Sequence, residues 1–433
     1  MEFHDILHGH IRFSDSGIVP LLADLIDSPE IHRLRNMRQM NFDVPLIQEL
    51  GRSRRLPHSI GVVHVATQLA HKCHLDSKQT AILVAAAMLH DAAIPPYGHL
   101  VESEFKNKAP GFNHETRLED LVYGKFAEEN QYAAIVPGKH LKIFKILDRH
   151  GVDARAVLDV VCPPGEGRSP ISADIDIDNI DNVHRMAAML GWEGARENLA
   201  DIINGTSLQG LGGLEFSEKV VGALERWLYY RQRIYTMIIA HPECVPYNAL
   251  QADLVRLAVQ NDLITPDQWW LTEPEFEERL RRDSRTAHLA NQLIAGCDYR
   301  LIDYVWFKGF SSPVKTNNAK IVEHFIESVQ IPEDQGYFVW NEKGLISRRV
   351  SVPGYGWGGG EIGVDSTSCM VALVRKVPDK LKRTKVESNK WRQDVVHAFV
   401  KKFEVDSFEI DYPETYNGEF FSCKNNEFKF GYY

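Results

Sequence analysis

No CxxC pair occurs among the six cysteines of this 433-residue chain, which are scattered as Cys73, Cys162, Cys244, Cys297, Cys369 and Cys423. That spacing argues against a zinc ribbon or a thioredoxin-like redox site, and predicts buried free thiols in a reducing cytoplasm rather than a disulfide framework. No run approaches 18 apolar residues, so no membrane-spanning helix is expected. The N-terminal MEFHDILHGH has no apolar signal core. Basic residues are outnumbered, 49 Lys and Arg against 59 Asp and Glu, for a net charge of -10. Composition therefore disfavours nucleic acid as a partner. The glycine-rich PGYGWGGGEIG lacks the lysine and the Ser or Thr of a phosphate-binding P-loop, and reads as a surface turn. Internal repeats and low-complexity tracts are also missing. The remaining 44% hydrophobic and 25% charged composition is that of a globular protein with a sizeable core.

Helical spacing runs through SIGVVHVATQLAHK, DNVHRMAAMLGW, GALERWLYYRQRIYTMIIAH and NALQADLVRLAV. From Tyr304 the character changes. YFVWNEKGLISRRVSV predicts two strands around a turn at Asn341 to Gly344, SCMVALVRKV a third strand, and KWRQDVVHAFVKKF an amphipathic helix. The expected architecture is mainly α, with a helical domain over 1–300 and a smaller α+β domain over 301–433 packed on it.

The segment AILVAAAMLHD is apolar all round and predicts a buried helix, capped by Asp76 with Gln79 placed to complete a capping box. Pro95 and Pro96 bound it downstream. Ending a buried helix in His90 and Asp91 is costly unless both are satisfied, and a divalent metal satisfies both. His58 upstream and Asp178 downstream supply further ligands. Two imidazoles and two carboxylates suit Mg, Mn, Fe, Ni, Co or Zn and leave open positions for water or phosphate oxygens. A satisfied helix-terminal pair is the alternative for His90 and Asp91 alone. Asp174, Asp178 and Asp181 lie at i, i+4 and i+7 and predict one face of a helix. Arg33, Arg35, Arg38, Arg52, Arg54 and Arg55 form a basic cluster in an acidic chain. Only Arg55, beside the histidine motifs, reads as a phosphate grip; the others read as a solvated stripe.

Four blocks carry a resemblance. DILHGHIRF with SPEIHRLRNMRQM, RLPHSIGVVHVA, LHDAAIPPYGHLVESEF with FNHETRLEDL, and DIDNIDNVHR appear in the order found in HD-superfamily phosphohydrolases. The chain is most similar there to the dNTP triphosphohydrolases, both bacterial dGTPase-like enzymes and the vertebrate sterile-alpha-motif HD protein. The resemblance implies His58, His90, Asp91 and Asp178 as metal ligands. It implies His114 and His99 beside the scissile phosphate, with Glu102 assisting. Arg55 and Arg231 then fall where the family grips triphosphate, and Gln39 and Asn182 at sugar-facing positions. It further implies one divalent metal, a nucleotide substrate and a homo-oligomer.

Four positions depart from that pattern. Ile94 stands where a histidine usually comes after the HD pair, and isoleucine transfers no proton. Asn182 replaces a sugar-contacting tyrosine, Met186 an aspartate that reads the 3′-hydroxyl, and Ile239 a tyrosine that packs on the sugar. Three readings stay open: a nucleoside triphosphate triphosphohydrolase, an HD nucleotidase or phosphodiesterase on a modified, mono- or cyclic nucleotide, and a non-catalytic nucleotide sensor.

Overall fold

The computed structural model describes residues 1–41, 44–124, 143–165, 167–310, 314, 316–341, 348–364, 367–377, 385–403 and 408–411. The fold is mainly α with a C-terminal α+β region. Among the described residues no helix is long and apolar enough to cross a membrane, and Cys73, Cys162, Cys244, Cys297 and Cys369 are free thiols.

The chain opens with an antiparallel hairpin of β1 (Glu2–Asp5) and β2 (Gly9–Arg12). Its turn is shaped by Asp5, whose Oδ1 accepts from the amides of Leu7 and His8, each at 2.9 Å. The helical body comes next. Helix α1 (Arg55–Lys72) packs against α2 (Ser77–Leu89), and α5 (Ile177–Met189) crosses α1 and α6 (Val221–Ala240). Between them lie α3 (His99–Lys108) and α4 (His114–Tyr123), and α7 (Val245–Gln260) and α8 (Glu273–Arg282) close the body. As its all-apolar sequence predicts, α2 is buried continuously from Ile82 to Leu89. Asp76 caps it, accepting from the Gln79 amide at 2.7 Å. The helix ends at Leu89 with His90 as its C-cap, well before the two prolines.

The turn beyond α2 is held from the side. Arg33, read from the sequence as part of a solvated stripe, is instead buried. Its guanidinium donates to the carbonyls of Ala92 (3.2 Å) and Ile94 (2.7 Å), and to those of Trp269 (3.0 Å), Trp270 (2.7 Å) and Leu271 (2.9 Å). The fork thus ties the turn after the HD pair to the segment leading into α8. Arg38 also turns inward, pairing with Glu277 at 3.0 Å and Glu273 at 3.6 Å on α8. A local charge count cannot see these partners, which are backbone carbonyls and acids distant in sequence.

The turn itself is strained. Tyr97 (φ +57°) and Gly98 (φ +52°) are both left-handed. A Cβ on Gly98 would lie 3.2 Å from Arg55 Nη2 and 3.3 Å from Asn41 Nδ2. Glycine here therefore meets both the backbone and the space requirement.

The C-terminal region is built from β3 (Arg300–Phe310), α9 (Asn318–Ser328), β4 (Gln335–Asn341), β7 (Thr367–Arg375), α10 (Lys385–Phe403) and β8 (Glu409–Asp411). The strands order as β8-β3-β7-β4, every neighbour antiparallel. This βαββαβ course is the ferredoxin-like split arrangement. Val305, Phe307, Val339, Val371 and Leu373 pack under α9 and α10. Tyr304, Trp306, Phe338, Met370 and Ala372 turn to the opposite face and join the core of the helical body. A buried pair, Arg392 to Asp303 at 2.8 and 2.9 Å, fastens α10 to β3.

Both strands predicted around Asn341 are present, but among the described residues they do not pair with each other. β4 pairs with β7, while β5 (Arg349–Val352) pairs with β6 (Gly360–Gly363) in a separate ribbon between β4 and β7. Residues 342–347, where most of the predicted turn falls, lie outside the described residues. The glycine-rich stretch, expected as a turn, also supplies β6. The physical reason is burial on both faces: β4 and β7 are near-continuous apolar runs, so alternation carries no information about which strand each one joins.

Replacing Arg33 with Met keeps the apolar stem but strips the donors from five buried carbonyls. The expected loss is at least about 3 kcal/mol of stability, read as a lower denaturation midpoint in urea. An unchanged midpoint would mean that the turn after His90 does not depend on this guanidinium.

Candidate metal centre

Three elements deliver one cluster. His58 comes from the first turn of α1, His90 caps the end of α2, and Asp178 lies in the first turn of α5. The start of α5 is set by Asp176, whose Oδ1 accepts from the Asn179 amide at 2.7 Å. His58 Nε2 lies 2.8 Å from Asp178 Oδ1, and His90 Nε2 lies 3.6 Å from the same oxygen. Ligand atoms of all three residues fall within 4.8 Å of one another, a spacing that can hold a metal ion.

The donor chemistry fits. His90 Nδ1 sits 2.8 Å from the Ala87 carbonyl, which can only accept, so Nδ1 carries a proton and Nε2 is the ring atom left to face the cluster. Among the described residues that buried Nε2 has no hydrogen-bond partner, the Asp91 and Asp178 oxygens standing 3.6 Å away. His58 Nδ1 in turn faces Asp181 Oδ1 at 2.8 Å, which leaves its Nε2 aimed at the cluster. A carboxylate or carbonyl behind each imidazole is the arrangement that orients histidines on metals. Asp91 stands beside the trio, with Oδ2 3.6 Å from His90 Nε2 and 2.6 Å from the Arg55 guanidinium.

Asp181 carries no functional signal in the sequence, yet it organises the region. Fully buried, it also meets His8 Nε2 at 2.6 Å and Arg185 Nε at 2.9 Å, and Arg185 reaches Asp5 at 2.6 Å. The available clue is the Asp181–Arg185 spacing of i, i+4, which marks a helical pair without telling an exposed one from a buried one. Gly61 on α1 makes room for the network: a Cβ there would lie 2.3 Å from Arg185 Nη2 and 2.4 Å from Asp181 Oδ2. Asp174, by contrast, does not share the helical face predicted for it. Since α5 begins at Ile177, Asp174 precedes the cap and pairs with Arg348 at 2.6 Å.

A second group forms around α3 and α4. Glu102, buried, receives His99 Nδ1 at 2.9 Å, His114 Nδ1 at 3.1 Å and Lys106 at 2.9 Å. The side chain of His99 is 79% exposed and that of His114 22%. Gln39 and Asn182 meet across 3.4 Å. Asn182 lies one helical turn beyond Asp178, so this contact belongs to the same side of α5. Arg231 is buried in α6 with its guanidinium over the Tyr235 ring, 5.0 Å from the centroid. Ile94, Met186 and Ile239 are each 1% exposed and belong to the hydrophobic core.

Electrostatics bind the cluster into one unit. Burial disfavours a charged His90, but Asp91 and Asp178 outweigh it and push the imidazole up to about 9. His58 is raised by Asp178 and Asp181 against the same opposition. Burial likewise opposes ionised carboxylates, yet His90 and His58 hold Asp178 well below its ordinary range, and Arg55 and His90 bring Asp91 down to about 2. Asp176 goes the other way, up to about 7, through burial and the negative charge of Asp178. Glu102 is held far below the carboxylate range by His114 and His99 despite burial. In the metal-free protein the imidazole protons supply the positive charge that the carboxylates need. A metal would displace those protons.

Fold and cluster together define a helical protein whose buried His/Asp group can hold a metal ion. No family model matches the chain. It is 25% identical over 241 residues to an uncharacterized protein of Methanocaldococcus jannaschii, covering 55% of this chain and 45% of that one. It is 22% identical over 338 residues to an uncharacterized protein of Mycoplasma genitalium, covering 75% and 76%. A third relative is the deoxynucleoside triphosphate triphosphohydrolase SAMHD1 of Xenopus laevis, 30% identical over 124 residues, or 26% of this chain and 19% of that enzyme. The chain thus spans about half the length of the archaeal relative and a fifth of the frog enzyme. These partial likenesses support a distant HD-type relationship.

Because His90 is raised above its ordinary 6.5 to about 9, the stabilisation it provides is complete below pH 6.5 and is lost as pH climbs through 9. The metal-free protein should melt several degrees lower at pH 9 than at pH 6.5, and saturating Mn or Co should remove the difference, as measured by calorimetry. A flat metal-free profile would contradict it. Asp181→Asn should weaken metal binding about 10- to 100-fold in titration calorimetry by releasing His58.

Proposed function

We propose that this chain is a metal-dependent phosphohydrolase that cleaves a nucleoside triphosphate to nucleoside and triphosphate. The observation that carries the reading is the His58–His90–Asp178 group, with both histidines buried, His90 Nε2 lacking a hydrogen bond among the described residues, and Nδ1 of each ring anchored. A divalent metal held by His58, His90 and Asp178, with Asp91 alongside, would polarise a phosphoryl oxygen and lower the pKa of a water.

The chain's own residues divide the remaining tasks. Arg55, already braced on Asp91, presents a guanidinium at the edge of the cluster, where bidentate contact with phosphate is favoured. Arg231 serves the same polyanion from α6. Water attacks the α-phosphorus and gives up a proton to bulk solvent, the bond to the 5′-oxygen breaks, and that oxygen takes a proton from His114 or His99. Glu102 holds both rings by Nδ1, so the proton is given from Nε2 of whichever ring is in its imidazolium form. Gln39 and Asn182, in contact with one another, face the sugar.

A second reading, an HD nucleotidase or phosphodiesterase, draws on Ile94, Met186 and Ile239. These three occupy the core, so no proton relay or 3′-hydroxyl contact comes from those positions. Purified protein incubated with dNTPs, rNTPs and dNMPs plus Mn, Mg or Co, and then subjected to ion-exchange separation, decides between the two. Nucleoside with intact triphosphate supports the first reading. Orthophosphate from monophosphates supports the second, and no product with any metal sinks both in favour of a nucleotide sensor. Asp178→Ala should abolish metal-dependent turnover, and His114→Gln should lower kcat by about 10²- to 10⁴-fold. Full activity in either variant would remove that residue from the mechanism.

A further inference from the structure

A large open cavity lies away from the metal cluster. It encloses about 1450 Å³ between the N-terminal hairpin, the outer face of α1, the start of α2 and the helix Ala195–Gly205, and none of His58, His90 or Asp178 lines it. Its charge runs against that of the chain. Arg12, Lys72, Lys78 and Arg196 contribute cations, and Asp15 is the single acid in the lining. Asp15 is already used, its Oδ1 accepting from the amides of Gly17 (2.7 Å) and Ile18 (3.0 Å). Among the described residues Lys72, Lys78 and Arg196 have no carboxylate partner; Lys72 donates to the carbonyls of Ile203, Asn204 and Thr206, and Arg196 to that of Ile6. Carbonyl contacts orient a cation without neutralising it. Arg12 pairs with exposed Glu2 at 3.5 Å, but in a protein of net charge -10 the other three cations on one concave surface create a local positive field.

The walls are not all polar. Leu7, Phe13, Leu75 and Leu199 line the same space, so a ligand with one charged and one flat or apolar end fits better than a bare ion. The volume suits a molecule of nucleotide size. His8 forms part of the wall while its Nε2 rests on Asp181, the carboxylate that orients His58. The cavity and the metal cluster therefore share one hydrogen-bonded partition.

We propose that this cavity is a second ligand site, separate from the metal cluster, that binds a small molecule carrying two or more phosphate groups. The phosphates lie against Arg12, Lys78 and Arg196, and the remainder of the ligand lies on the leucine and phenylalanine wall. The site does not depend on the chain being a hydrolase.

Calorimetric titration in EDTA tests this with two probes, inorganic tripolyphosphate and adenosine 5′-(β,γ-imido)triphosphate. Arg12 and Lys78 are exposed, so the double variant Arg12→Glu, Lys78→Glu should keep the wild-type melting temperature, and Arg12→Gln, Lys78→Gln serves if it does not. The expected result is wild-type binding that weakens at least tenfold in the double variant and persists in Arg55→Ala. Tighter binding of the imido nucleotide would assign the wall to a nucleoside, and equal binding of both would assign the site to the polyphosphate alone; either supports the proposal. Binding that is lost in Arg55→Ala but untouched by the double variant would place the anion at the metal cluster and overturn it. So would no binding of either probe by the wild type up to millimolar concentration.

Discussion

One buried carboxylate ties the architecture to the candidate chemistry. Asp181 accepts from the imidazole of His58 on α1, from His8 on the opening hairpin and from Arg185 on its own helix. A buried carboxylate is tolerated only when its lone pairs are met by donors and its charge by cations. Here three chain segments meet to satisfy it, and in doing so they aim His58 Nε2 at His90 and Asp178. The hairpin is therefore part of the support of the candidate metal centre, although it contributes no candidate ligand. Gly61 is the steric condition for that meeting, since α1 and α5 approach through the space a side chain would fill.

The same logic governs the segment after the HD pair. A buried chain that leaves helical geometry exposes carbonyls that must find donors. Arg33 donates to two of them, on Ala92 and Ile94, and to three more carbonyls on the facing Trp269–Leu271 segment, and the left-handed Tyr97–Gly98 pair then turns the chain into α3. This positions His99 and Glu102 on one side and leaves His114 to close on Glu102 from α4. The strain at Tyr97 persists because its ring is buried and its hydroxyl is held by Glu277 at 3.0 Å.

Much of the plan is legible in the residues alone. The long helices arise from their 3.6-residue periodicity. The burial of α2 comes from its lack of a polar face. The change of character at Tyr304 falls within the first strand of the ferredoxin-like region. The approach of His58, His90 and Asp178 is legible only as an ordered set of ligand types. The strand partners are not legible, because β4 and β7 are apolar on both faces. Nor is the fate of Arg33, because its acceptors are main-chain carbonyls, which every residue type possesses.

By itself, then, the sequence determined the mainly helical class, the cap at Asp76, and the presence of a metal-compatible donor set, since each depends on residue type and short-range spacing. Tertiary structure alone decided which donors share a shell. It set Asp91 against Arg55, placed Asp181 behind His58, buried Arg33, and gathered Arg12, Lys78 and Arg196 around one cavity. Those outcomes depend on pairings between residues tens to hundreds of positions apart. Such pairings are selected by the desolvation cost of leaving a buried polar group unmet, and that cost exists only once the chain has packed.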